Sequence, residues 1–203
     1  CPVVCIFQAE DGIRVFCRSR GLGEVYKGQV QENPFLEVRN FGKNFGGVRA
    51  LDGVNMAVWP GEGLCLAGEN GCGKSTLIKV ISGVHAPDAG RILIDGHTVS
   101  SLTPLSAMDA GIQVIYQDFS LFSNLTVAEN IMMTSSVTEK KKFFSSTSAK
   151  QQAAQIVERL GVPLPLDADV EQLSVADKQL TAICRALAGN AKHLIMAEPT
   201  TAL

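Results

Sequence analysis

The chain has 203 residues, 46% hydrophobic and 19% charged, with a formal net charge of -2. That length and balance suit one or two soluble globular domains with a buried core, and the charge gives no bulk reason to expect a nucleic-acid partner. No apolar stretch approaches the roughly 18 residues that a membrane-spanning helix needs.

The opening CPVVCIF lacks the basic start and cleavage site of a signal peptide. Residues 1–30 show no clear helical or strand period. Gly21, Gly23 and Gly28 do not make a phosphate loop, because no strand precedes them and no capped helix follows. The stretch resembles a leader found on reading frames translated through sequencing adaptors. It is therefore set aside as non-native or disordered, and the domain is taken to run from 34 to 203. The six cysteines, without metal-binding spacing, read as reduced thiols of a cytosolic protein.

From Asn33 the pattern becomes orderly. PFLEVRNFGKNF and LDGVNMAVWPGEG alternate partially with turn residues between them, which predicts two antiparallel strands. GLCLAG is a short apolar run suited to a strand buried on both faces. GENGCGKST, Gly68 to Thr76, then fits G-x-x-x-x-G-K-[ST] in full, and LIKVISG after it predicts a helix ended by Gly83.

The chemistry explains that spacing. Glycines at Gly68, Gly71 and Gly73 let the backbone through Glu69, Asn70 and Cys72 curl so that successive N–H groups face an oxyanion. The start of the helix adds its positive dipole end. Lys74 reaches the β- and γ-phosphates, and the Ser75 hydroxyl, next to Thr76, is placed to ligate Mg²⁺. ATP and Mg²⁺ are the expected ligands.

Further along, GIQVIYQ alternates and ends at Gln117. The cluster Lys140 to Phe144 reads as a solvated loop. Ala153, Ile156, Val157 and Leu160 follow helical spacing until Gly161 and Pro163. In LSVADKQL, Ser174 predicts an N-cap with Asp177 three positions on. Val175, Ala176, Leu180, Ile183 and Leu187 then predict an apolar helix side. HLIMAE is a last apolar run ending in Glu198.

The order of these stretches over residues 34–203 resembles the ATP-binding subunits of ABC transporters, above all the simple-sugar importers for ribose, galactoside, arabinose and autoinducer-2. The resemblance implies an α/β fold: a P-loop NTPase core of ABC type, with an antiparallel β subdomain and an α-helical subdomain. It implies that Gln117, at the Q-loop, contacts Mg²⁺ or the attacking water, and that the flexible DFSLF beyond it senses a partner. Phe45 would stack on adenine. Leu173, Ser174, Val175, Ala176 and Asp177 would form the signature facing ATP on the opposite domain, with Val175 and Ala176 in place of the usual glycines. Glu198 would polarise the attacking water as the catalytic glutamate. The function implied is ATP hydrolysis coupled to import of a simple sugar. The subunit would sit at the cytoplasmic face of the membrane, with a second ATPase domain fused in the intact chain, permease subunits and a sugar-binding protein as partners. No nucleic acid is expected; the gap from Gln117 to Leu173 is too short for the insertions of a DNA-repair ABC ATPase.

Ala197 departs from that pattern, since the family places an aspartate there to hold the metal's water shell. A methyl group accepts no hydrogen bond. Either the site binds nucleotide and hydrolyses it poorly, or the alanine is a sequence error. The chain also stops before the switch histidine and the full D-loop, so a C-terminally truncated first ATPase domain, poorly stable by itself, is expected. His85, His97 and His193 match no switch position.

Overall fold

The computed structural model describes the backbone of residues 3–7, 14–20, 33–60, 62–67, 71–99, 102–116, 118–138 and 146–197. Two compact units share the chain. The first holds 1–114 and 192–198, the second 115–191 and 199–203.

The first unit contains two sheets among the described residues. Strands β1 (Val3–Phe7), β2 (Arg14–Arg20), β3 (Leu36–Phe45), β4 (Val48–Val58) and β5 (Glu62–Ala67) come first. Helix α1 (Lys74–Ile81), strands β6 (Ala89–Ile94) and β7 (His97–Val99), helix α2 (Pro104–Asp109) and strand β8 (Ile112–Ile115) follow. The last strand, β9, is His193–Met196.

The antiparallel sheet runs β4-β3-β6-β7. Leu36, Val38, Phe41, Leu51, Met56, Val58 and Ile92 bury its inner face. The expected pair β3 and β4 is joined by Gly46 and Gly47, whose φ of 50° and 91° suit a two-residue turn with both central residues left-handed. The sheet is larger than the sequence reading, because β6 and β7 return to it after α1. Their turn, Asp95 at φ 49° and Gly96 at φ 78°, is the same device.

The second sheet runs β2-β5-β1-β9-β8. β1 pairs in parallel with both β5 and β9, and β2 pairs antiparallel with β5. Both β1 and β2 lie within the segment that the sequence reading set aside, so that segment does supply strands. VVCIF is a β-branched, apolar run of the kind that suits a strand with a neighbour on each side. Gly111 stitches β8 to β9: its carbonyl accepts the N–H groups of Lys192 (2.9 Å) and His193 (3.0 Å).

The second unit is helical: α3 (Val127–Thr138), α4 (Ser146–Leu160), a single 3₁₀ turn at Val170–Gln172, and α5 (Val175–Ala188). Val127, Ile131, Met132, Ala149, Ala153, Val157, Leu164 and Cys184 form its core. Leu160, expected on the apolar side of α4, is 39% exposed. Thr126 and Glu129 cap α3 reciprocally: the Glu129 N–H donates to Thr126 Oγ1, and the Thr126 N–H donates to Glu129 Oε2. Asn130, fully buried, accepts the Phe122 N–H at 2.8 Å and donates to the carbonyls of Phe122, Leu125 and Thr126. The segment before α3 is thus pinned by one side chain.

Candidate nucleotide site

The phosphate loop enters α1 through Gly73, which is its N-cap at φ 100° and offers no side chain to cap the helix. The N–H groups of the first helical turn lack intrahelical acceptors, so this end is built to receive an anion. Glycine is required here twice over. The left-handed φ disfavours any other residue, and a Cβ would lie 2.4 Å from the Ala50 carbonyl oxygen and 3.0 Å from Leu51 Cδ2. Strand β4 therefore lies directly against Gly73.

Lys74 opens α1 with only 7% of its surface exposed, its Nζ 3.7 Å from Cys72 Sγ. A buried ammonium at the head of a helix supplies a fixed positive charge for a phosphate tail. Ser75 is exposed, Thr76 half-buried and Gly71 exposed at φ 86°. An exposed hydroxyl in the first turn fits Mg²⁺, which takes few protein ligands and keeps waters and phosphate oxygens. Among the described residues no cluster of His, Cys, Asp or Glu offers an alternative metal site.

Phe45 ends β3 and pairs with Val48 across the hairpin turn. Ala50, which touches Gly73, is two residues further along β4. Two steps of strand are about 7 Å, so the hairpin tip and Gly73 share one short piece of β4. Phe45 keeps 43% of its surface exposed.

The signature residues lie in the second unit, where the expected cap forms. Ser174 Oγ accepts the Asp177 N–H at 3.1 Å and donates to Asp177 Oδ2 at 2.7 Å. Val175 and Ala176 are exposed, Leu173 half-buried. The apolar side read for α5 holds only in part: Leu180 packs partly buried against the core, whereas Val175 is 53% exposed and the buried positions are Thr181, Ala182, Cys184 and Ala186. Small residues let α5 pack closely, and that outweighs the hydrophobicity of Val175. Burial also pushes the Cys184 thiol up to about 11, so it stays protonated. Among the described residues Cys72 and Cys184 are free thiols.

Ala197 follows β9 directly and is half-buried. Gly68, Glu69, Asn70, Gln117, Glu198 and the cluster Lys140 to Phe144 lie outside the described residues. Three residues around Phe45 escaped the sequence reading: Lys43, His85 and Asp88. Lys43 shares a strand side with Phe45, a signal open to inspection, but His85 and Asp88 come from beyond α1 and only the fold brings them there.

A strand, a glycine-rich loop and a helix headed by a buried lysine define a P-loop nucleotide-binding protein. Residues 51–201 match the model of the ABC transporter family, and the chain belongs to that family. It is 47% identical over 170 residues to the ribose import ATP-binding protein RbsA 1 of Streptomyces coelicolor, covering 84% of this chain and 34% of that protein. It is 44% identical over 168 residues to a putative ribose/galactose/methyl galactoside import ATP-binding protein of Burkholderia lata, covering 83% of this chain and 32% of that protein. The chain thus spans about a third of the length of these curated relatives.

Solved structures agree on the fold. MJ1267, an ATP-binding cassette of an ABC transporter in its ADP conformation, aligns with TM-score 0.69 at 28% identity, covering 84% of this chain and 70% of that one. CbiO1 of Clostridium perfringens, part of the ABC transporter complex cbiONQ, aligns with TM-score 0.67 at 28% identity, covering 85% and 68%. The fold is that of an ABC cassette, α/β as the sequence implies. Among the described residues no helix is long and apolar enough to cross a membrane.

Proposed function

We propose that this chain is the nucleotide-binding part of an importer subunit that couples ATP hydrolysis to uptake of a simple sugar. The observation that carries this is the identity of 47% with a ribose import ATP-binding protein, in a chain whose Gly73–Lys74 helix start is shaped for a phosphate. In this reading the loop Gly68 to Thr76 cradles the triphosphate, Lys74 neutralises its β- and γ-oxygens, and Phe45 stacks on adenine. Ser75 and Gln117 hold Mg²⁺, which when bound neutralises charge on the phosphates. Glu198 orients the attacking water. Leu173 to Asp177 serve the ATP held by a second ATPase domain. The subunit sits at the cytoplasmic face of the membrane, and permease subunits within the membrane and a sugar-binding protein beyond it complete the assembly.

Ala197 favours a second reading, in which the site holds ATP and turns it over slowly. Gly73 and Lys74 belong to the head of α1 and residue 197 follows β9, so in this reading binding and hydrolysis separate. Two measurements on the intact protein test the nucleotide site and the importer role. ATP titration should show binding that Lys74→Glu abolishes; binding unchanged by that substitution sinks the nucleotide site. Uptake of labelled ribose or galactoside by cells carrying the subunit with its permease should then depend on Lys74, and uptake indifferent to it sinks the importer role.

A further inference from the structure

The loop that ends α1 reaches back to the hairpin of Phe45 and holds it at several points. Asp88 contributes three contacts. Its N–H donates to the Gly42 carbonyl at 2.9 Å, Oδ1 accepts from Lys43 Nζ at 2.8 Å, and Oδ2 accepts the Asn44 N–H at 2.7 Å. These two bonds hold the Asp88 carboxyl below the usual carboxylate range, Lys43 first and the Asn44 N–H second. With its charge so held, Lys43 Nζ stands over the Phe45 ring, 5.4 Å from the centroid. His85 meets the same ring nearly edge-on, centroids 5.3 Å apart at 68°. The His85 and Val84 N–H groups both donate to the Lys79 carbonyl, at 3.0 and 2.8 Å, so His85 is anchored to the end of α1.

These contacts have a purpose that packing alone does not supply. Phe45 and Val48 sit at a hairpin tip, 43% and 69% exposed, with little burial to fix a rotamer. A solvent-exposed phenyl ring would sample several χ1 wells. A cation on its face and a perpendicular ring at its side select one of them, because both contacts use the ring quadrupole. Exposed area still remains for a flat ligand.

We propose that Lys43, His85 and Asp88 are positioning residues for the nucleobase, setting the pose of Phe45 so that its free surface is ready to stack. This rests on the reading of Phe45 as the adenine partner. It adds that base affinity is tuned from the loop after the phosphate-loop helix, by residues that act through Phe45.

The test compares two probes on the intact protein, ATP and inorganic tripolyphosphate, which has no base. Phe45→Ala should weaken ATP roughly 5- to 150-fold, as loss of a stacking partner does, and leave tripolyphosphate unchanged. His85→Ala should weaken ATP about 2- to 10-fold, the size of an aromatic pair contact, again without moving tripolyphosphate. His85→Phe should restore ATP affinity, and in the Phe45→Ala background His85→Ala should have no further effect. Should His85→Ala not fold, Lys43→Met carries the same comparison. An additive effect in the double variant, equal loss for both probes, or no loss at all overturns the positioning role. If Phe45→Ala itself leaves ATP binding intact, the stacking role falls first and this inference with it.

Discussion

Arg185 holds the carbonyl of Ser120 at 2.6 Å, and with its other terminal nitrogen the carbonyl of Phe119 at 2.8 Å. Phe119 and Ser120 both carry positive φ, 56° and 47°. Two consecutive non-glycine residues in that region are strained, and such pairs persist only where surrounding contacts over-determine them. The guanidinium of α5 is that contact. Burial lowers the Arg185 pKa, with Asp118 opposing the shift, yet an arginine remains charged. A segment read from sequence as flexible is therefore tethered to the helix that begins at the signature.

Arg185→Ala should destabilise the second unit by about 1.5–3 kcal/mol, the usual worth of a hydrogen bond to a charged group. Arg185→Lys should recover little, because one ammonium cannot reproduce a planar fork. Urea unfolding gives the loss, and hydrogen exchange at 118–122 locates it. Unchanged protection there would show that the tether does not hold the turn.

Gly73→Ala should be costly in a way that Gly71→Ala is not. Both positions have left-handed φ, but among the described residues a Cβ at Gly71 meets nothing within 4 Å, whereas at Gly73 it strikes the Ala50 carbonyl. Strain at such a φ is worth about 1–3 kcal/mol, and the clash adds to it. The variant should lose nucleotide binding along with a drop in unfolding midpoint. Wild-type midpoint in Gly73→Ala would refute the close approach.

His193 should make the first unit acid-sensitive. It is fully buried against Phe35, ring centroids 5.6 Å apart, with neither ring nitrogen hydrogen-bonded among the described residues. Burial lowers its pKa to about 4 from 6.5. The unfolded chain then binds the proton more readily than the folded one. Stability is complete above pH 6.5 and is lost as pH falls towards 4, by about 3 kcal/mol at roughly 1.4 kcal/mol per unit. His193→Phe should flatten that slope in urea midpoints measured across the window; an unchanged slope would assign it to other groups.

Ala197→Asp should raise Mg-ATP turnover of the intact protein by roughly 10–100-fold, the usual worth of an outer-sphere support to a metal, with ATP affinity little changed. Steady-state hydrolysis beside equilibrium binding separates the two. Equal turnover in both forms would show that this alanine has no catalytic consequence.

How much of this was legible in the sequence depended on how local each signal is. Gly68 to Thr76 is a local pattern, and its strand and helix stand where they were expected. Ser174 and Asp177 form a cap within four residues, equally local. The turn Asp95–Gly96 and the Thr103–Ser106 cap of α2 are equally local signals. The buried side of α5 was not readable, because packing against α3 and α4 selects small residues over Val175. Neither were the strands β1 and β2, nor the grouping of Lys43, His85 and Asp88, which depend on pairings far apart in the chain.

One consequence follows from α1. Lys74 stands at its first position, and the Lys79 carbonyl near its end fixes His85, so in the proposed binding mode the same rod of eight residues, about 12 Å long, bears on both the phosphate tail and the base. In that mode it acts as a length gauge. Inserting or deleting a helical residue would leave each end chemically intact and put the two out of step, so that the tail and the ring could no longer be gripped at once.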